Sequence, residues 1–287
     1  LEPYYFGSND SNNIWKPISY YGTYGTNGFH LPFTQNATSS YAGGFTYASS
    51  QVLSVADNAA LELGSSDFCA ECWYYPTSFT NNLTLLGKRT NTTATGAFVI
   101  YANSGSGALT FYASTNGSTY FLSGTTVGTL TLNEWNHVAI YRSGNNWYGS
   151  VNGVVSFMGT NSSSIYNNTD SWRIGGDSNG NYATGSISNV RIVTGNAVYT
   201  ASNFTPPSTA LTAITGTQLL TLQNATIIDN STNAFSITNT GSVTTSVAYP
   251  FSANIFVDTS GNGNYWTPNN VQVATPSATT YDSMTDV

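Results

Sequence analysis

Two cysteines and two histidines are all that this chain of 287 residues offers for thiol, zinc or imidazole chemistry. The cysteines stand three apart in Asp67-Phe-Cys-Ala-Glu-Cys-Trp73, the spacing of a redox pair or of half a zinc site. Zinc would need two further ligands, and only His30 and His137 are on hand. The stretch alternates like a strand, on which residues three apart point to opposite faces. That geometry suits a disulfide poorly. Cys69 and Cys72 are therefore expected to be structural thiols, each packed as a small apolar side chain. His137, close to Trp135 on another strand-like run, is expected to be packed and hydrogen-bonded rather than catalytic.

Carboxylates come next. Glycoside hydrolysis needs two of them facing each other about 5–9.5 Å apart. Of the 13 acids, Asp67 and Glu71 come closest to a pair on one strand face. At about 3.3 Å per residue they would stand about 13 Å apart, too far for that work. No G-x-S-x-G, phosphate-binding loop or HExxH occurs either, so no enzyme is expected. Asp177-Ser-Asn-Gly-Asn181 sets oxygen-bearing side chains at alternate positions, Asp177, Asn179 and Asn181, as calcium prefers. The loop lacks a later bidentate Glu, and its composition is also that of an ordinary turn. Asp258 with Asn262 and Asn264 forms a second cluster of that kind. Sugar binding asks for an aromatic platform beside planar polar groups. Tyr148, Tyr166, Trp172 and Tyr182, all near loops, are the candidates, against the alternative that they fill the core.

The elements that must position these residues are strands. Helical periodicity is confined to about one turn at Ala59-Ala-Leu-Glu-Leu63. Short β-rich runs broken by Gly, Asn, Ser and Asp recur instead, as in a sandwich or barrel. Strands are expected near Gln51–Val55, Asp67–Tyr75, Ala97–Ala102, Ala108–Tyr112, Trp135–Arg142, Asn146–Val151, Ser171–Ile174 and Ser186–Val193. Hairpin turns are expected at Ser104–Gly107, Ser143–Asn146 and Val151–Val154, with Asn152-Gly153 the strongest cue. In the run 67–73, Phe68, Ala70 and Cys72 share one face and Cys69, Glu71 and Trp73 the other. Both faces of this run and of 135–142 are fairly apolar, so each should be covered at least in part.

Composition narrows the partners. Charged residues make up 7% of the chain, against about 25% in an ordinary soluble domain. The six cations are scattered and the net charge is −7, which excludes a phosphate-tracking surface for nucleic acid. The same scarcity argues against an anionic membrane surface, and no run approaches the roughly 18 apolar residues of a span. Solubility must come from Asn, Thr, Ser, Gly and the 20 Tyr, a surface that hydrogen-bonds water and sugars alike. Asn-rich, low-charge tracts can also aggregate, but the regular strand pattern and proper turn chemistry favour a folded protein of extracellular type. The chain opens at Leu1-Glu-Pro without Met or leader, and reads as processed or as a segment of something longer.

Several of these runs, in this order, resemble the laminin-G-like, concanavalin A-like jelly roll. Asp67–Pro76 resembles its opening strand, and Glu134–Ala139 followed by Trp147–Gly153 resembles its central hairpin. Ile174-Gly-Gly176 and Gly185–Ile192 resemble its closing strands. The continuation, Gly195–Thr200, Asn203–Pro207, Leu219–Leu222, Ile228–Thr232 and Thr238–Val243, resembles a tail of this domain in marine bacteriophage structural proteins. Asn27–Phe33 and Asp258–Asn270 resemble two halves of one element of phage tail and fibre proteins. The resemblance implies an all-β antiparallel jelly-roll sandwich over 40–251, inserted into a small module formed by the flanks 1–39 and 252–287. It implies a non-enzymatic virion or appendage protein at the virion surface or outside the cell, touching host-surface glycan and assembling with other virion or fibre subunits, as a homo-oligomer. A purely architectural subunit is the alternative. A carbohydrate-active enzyme is a third reading, because the same fold hosts lectins and glycosidases. The acid spacings on one strand that such glycosidases use are missing here.

Overall fold

The computed structural model describes residues 7–17, 40–89, 95–248 and 250–251. His30, Asp258, Asn262, Asn264 and the phage-like segments at 27–33 and 258–270 lie outside the described residues. The chain divides into two units, Leu1–Asn36 with Asn254–Val287, and Ala37–Ala253. In the first, β1 (Gly7–Asn9) and β2 (Trp15–Pro17) form an antiparallel pair. The Asp10 carboxylate closes the turn between them by accepting from the amides of Asn12 and Ile14.

The second unit is a two-sheet antiparallel sandwich, the jelly-roll class expected. Its strands are β3 (Ser40–Phe45), β4 (Val52–Val55), β5 (Phe68–Pro76), β6 (Leu83–Lys88), β7 (Phe98–Ala102), β8 (Ala108–Ser114), β9 (Tyr120–Thr129) and β10 (Asn136–Ser143). There follow β11 (Asn146–Val151), β12 (Val154–Thr160), β13 (Trp172–Ile174), β14 (Gly185–Thr194), β15 (Thr217–Thr221), β16 (Ile237–Thr240) and β17 (Thr244–Ala248). One sheet runs β12-β11-β10-β5-β14-β3-β17, with β15 also paired to β14; the other runs β16-β4-β13-β6-β7-β8-β9. All eight strands expected from the sequence form, and the single helical turn expected is a 3-10 turn at Ala59–Leu61. Among the described residues no helix is long and apolar enough to cross a membrane.

Alternation builds the core between the sheets. Phe68, Ala70, Cys72 and Tyr74 of β5 and Val138 and Ile140 of β10 face Phe98, Ile100 and Phe111 of the opposite sheet. Aromatic side chains bridge the layers: Trp147 lies 5.0 Å from Phe121 and 6.1 Å from Phe111, and Phe68 lies 6.1 Å from Phe98. Such offset and edge contacts add to the area each ring buries. The Asn152-Gly153 hairpin forms with both residues left-handed, at φ 52° and 79°. A Cβ on Gly153 would fall 1.8 Å from the Phe204 carbonyl oxygen, so glycine is required there twice over.

The outer face of β5 and β10 is covered as well. Residues 195–204 cross it as a strap, with Ala197, Val198 and Tyr199 against Cys69, Ala139, Tyr141 and Val193. Cys72 thus packs between the sheets and Cys69 under the strap, on opposite faces, and both are free and buried. Burial pushes the Cys72 thiol up to about 12 and the Cys69 thiol well above its ordinary range. The native protein should therefore leave both thiols untouched by an aromatic disulfide reagent, and denaturant should expose the pair. A thiol that titrates in the folded state would contradict this packing.

Candidate functional site

The outer face of the second sheet carries a different arrangement. In β7 the alternation that turns Phe98, Ile100 and Ala102 inward turns Val99 and Tyr101 outward. In β8 it turns Tyr112 outward beside Thr110. Tyr101 is opposite Thr110 and Tyr112 opposite Val99, which makes the two tyrosines diagonal neighbours; Tyr120 of β9 is opposite Ser114. Their rings meet edge to face, at 6.0 Å between Tyr101 and Tyr112 and 5.2 Å between Tyr112 and Tyr120. Gly124 of β9, at φ 63°, makes room for the middle ring: a Cβ there would stand 3.0 Å from the Tyr112 hydroxyl. The Tyr120 hydroxyl accepts from the Gly96 amide at 2.9 Å, which fixes that ring.

With Arg89, Asn179 and Asn181, these three tyrosines line a cleft of about 390 Å³. Burial raises the Tyr101 hydroxyl above its ordinary range, helped by Tyr112 and the Asp177 charge, so it stays a donor at any physiological pH. No carboxylate is among these lining residues. Three half-buried aromatic rings, two amides and a guanidinium are equipment for binding, without an acid–base pair for hydrolysis.

The loop expected to hold calcium forms one wall, and its carboxylate is already occupied. Asp177 is 1% exposed. Its Oδ1 accepts from the amides of Asn179 and Asn181 and from the Asn181 side chain; its Oδ2 accepts from the Thr84 hydroxyl and again from Asn181. The Arg89 guanidinium stands 3.7 Å from Oδ2. The Asn179 amide, turned with its oxygen toward Arg89, accepts from that guanidinium. A cation here would meet saturated oxygens and a fixed positive charge, so Asp177, Asn179 and Asn181 do not make a calcium cage as folded. The described residues hold no group of three or more His, Cys, Asp or Glu suited to a metal.

The four aromatic residues expected to bind ligand are dispersed. Trp172 is 1% exposed and lies in the core, 5.2 Å from Phe98, with its indole N–H donated to the Leu61 carbonyl. A ligand cannot reach it, because residue 172 falls on the inward side of β13. Tyr148 is almost covered, stacked on Tyr141 under the strap. Tyr182 packs edge-on to Tyr47, and Tyr166 lies over Gly117. None of the four lines the tyrosine cleft. The residues that do were visible as outward positions of two strands, Tyr101 and Tyr112.

A second polar cluster lies under the strap and is closed to solvent. Glu71, fully buried, takes Arg191 at 2.6 and 2.9 Å on one oxygen. The other oxygen takes His137 Nε2 at 3.1 Å and the Tyr199 hydroxyl at 2.7 Å. Burial pulls the Glu71 carboxyl upward; the His137 hydrogen bond and charge, then Arg191 and Tyr199, outweigh it and hold it below the usual carboxylate range. Tyr199 in turn stacks on Phe204 at 3.9 Å, and Val198 before it is held at φ 65° in a three-residue turn closed by Tyr199 N–H to Ala197 O. A β-branched residue in that region is strained, and the Tyr199–Glu71 bond offsets the strain. His137 is thus a packed histidine, as its sequence context suggested, and Glu71 is a structural anchor.

Comparison with known proteins bears on the fold. No curated protein sequence matches this chain. A candidate carbohydrate-binding protein from Bacteroides ovatus is similar at 19% identity and TM-score 0.49, over 72% of this chain and 60% of its own. A heptameric pentraxin from Limulus polyphemus is similar at 12% identity and TM-score 0.47, over 76% of this chain and 100% of its own. Domain 4 of an extracellular arabinanase from Geobacillus stearothermophilus is similar at 21% identity and TM-score 0.36, over 46% of this chain and 62% of its own. The chain therefore spans less than two thirds of the Bacteroides protein and of the arabinanase domain. Residues 43–198, just over half the chain, match the laminin-G-type model of the concanavalin A-like lectin/glucanases superfamily. That match ends before most of the segments that resemble phage appendages. On the sandwich and this match together, the chain belongs to the concanavalin A-like lectin/glucanases superfamily.

Proposed function

We propose that this protein is a non-enzymatic glycan-binding module that seats a sugar chain in the Tyr101–Tyr112–Tyr120 cleft. The observation that carries the reading is the cleft itself: three tyrosines turned outward from adjacent strands, rimmed by Asn179, Asn181 and Arg89. Sugar rings present a C–H face to aromatic rings and a hydroxyl edge to amides and guanidinium, and this lining supplies both. The setting on a virion surface or extracellular fibre, as one subunit of a homo-oligomer, is proposed on the likeness of the segments at 195–251. A second reading, an architectural subunit without ligand, is favoured by the exposed Val154 and Phe157 on edge strand β12.

A glycan array probed with the purified chain tests the first reading, followed by titration calorimetry on the best oligosaccharide. Tyr112→Ala should weaken binding by about tenfold or more, a loss of about 1.4 kcal/mol or more. The melting temperature should barely move, since Tyr112 faces outward. Tyr166→Ala, away from the cleft, should leave affinity unchanged. Binding that survives in Tyr112→Ala would move the site elsewhere, and a blank array from folded protein would favour the architectural reading.

A further inference from the structure

The chain has six cations, and they are not equally free. Lys16 pairs with Asp10, Lys88 is buried between Asp57 and Glu62, and Arg191 is committed to Glu71. Arg142 is buried against the carbonyls of Gly144 and Ser163. Arg89 makes a looser pair, 3.7 Å from the buried Asp177, and stands beside Arg173. Arg173 is opposite Gly87 in the ladder between β13 and β6, and Arg89 is two residues further along, just past the end of β6. Trp172 and Ile174 point into the core, so Arg173 points outward, onto the face that carries the tyrosine cleft. Diagonal neighbours of this kind have Cβ atoms about 7–8 Å apart or somewhat less.

Of the Arg89–Asp177 pair, the guanidinium is the partner that reaches the surface. Among the described residues the carboxylate that meets Arg89 is Asp177, which is buried and turned toward Thr84 and Asn181, whereas the Arg89 side chain is 20% exposed and lines the cleft. Arg173 Nε is buried with no hydrogen-bond partner among the described residues. A guanidinium has five N–H donors, and here the Asn179 oxygen occupies one side of Arg89. The cleft therefore presents a positive rim within a protein of net charge −7.

We infer that the glycan taken by this cleft is acidic, with a carboxylate or sulfate of the sugar held by Arg89 and a second anionic group further along the chain reaching Arg173. This rests on the proposed glycan-binding role and specifies its ligand class. The planar guanidinium fork matches both oxyanions, while the tyrosines take the sugar ring, so the recognised chemistry is an anion on a pyranose next to an apolar face.

Three oligosaccharides of equal length form the test: a neutral hexose oligomer, an oligogalacturonate and a sulfated hexose oligomer, each titrated at low and high salt. At least one acidic oligomer should bind about tenfold tighter than the neutral one, and the preference should shrink as salt screens the exposed charge. Arg89→Gln should bring acidic and neutral binding to within about threefold, Arg89→Lys should keep part of the preference, and Arg173→Gln should cost the acidic oligomer a few-fold. Which acidic oligomer binds distinguishes carboxylate from sulfate. Equal binding of neutral and acidic oligomers overturns this inference and leaves the glycan-binding role standing. Failure of all three to bind folded protein overturns both. A preference that persists in Arg89→Gln, checked for folding by its thermal melt, also overturns it.

Discussion

Replacing Glu71 by Ala is expected to remove about 3–5 kcal/mol of folding stability, the penalty for stranding buried charge. The carboxylate is the hub on which Arg191, His137 and Tyr199 converge, and none of the three has another acid within reach in the described contacts. Without it the Arg191 guanidinium keeps only the Thr212 carbonyl, and the Tyr199 hydroxyl loses the bond that holds the strained strap. Glu71→Gln keeps part of the hydrogen bonding and should cost less. The same site predicts a pH response. The folded Glu71 carboxyl lies below its ordinary value of 4.5, so its contribution is complete above that pH and is lost as pH falls through the lower folded value. Urea unfolding between pH 7 and pH 2 should show wild-type stability declining in acid and Glu71→Gln declining less. A Glu71→Ala protein as stable as wild type at neutral pH would refute the hub.

The core makes a prediction of similar size. Trp147→Ala should cost about 3–5 kcal/mol, the usual toll for deleting a large buried aromatic side chain. Trp147 is fully buried, touches Phe68, Phe111 and Phe121, and donates its indole N–H to the Asn161 carbonyl. Arg142 lies over its ring at 5.7 Å, so the deletion would also open a void beside a buried guanidinium. Trp147→Phe should recover much of the loss, because a ring remains between the layers. Denaturant titration followed by circular dichroism measures both; a Trp147→Ala loss under about 1 kcal/mol would mean that the layers do not meet at this ring.

The sandwich was readable from β-rich runs bounded by turn residues, such as Phe68–Pro76, Asn136–Ser143 and the Asn152-Gly153 hairpin, even where both faces of a strand are covered. Strands without such a run were not. β6 is buried throughout, Thr84 and Lys88 included, and a bulge between Thr84 and Leu86 breaks its alternation; β3 carries Gly43 and Gly44; β16 and β17 are polar edge strands. The cleft escaped for another reason. Residues 89, 101, 112, 120, 179 and 181 come together only through the order of β6, β7, β8 and β9, which spacing along the chain does not encode. The loop at Asp177 shows a third limit. Its composition suits calcium, but whether a carboxylate turns toward a cation or toward its own backbone depends on local dihedrals, and here it turned inward to Thr84 and Asn181.

Ser40 opens β3 and Ala248 closes β17, and the two residues are opposite each other in one antiparallel ladder. Tension applied through the chain on either side of the sandwich would thus pull two neighbouring strands from the same end. Antiparallel bonds loaded in this way part pair by pair, whereas a shear load must break them together. A ligand held on β7, β8 and β9 would load the opposite sheet. Pulled between the chain on its two sides, the sandwich should give way first by unzipping β17 from β3, a short strand that extends reach before the core or the cleft is disturbed.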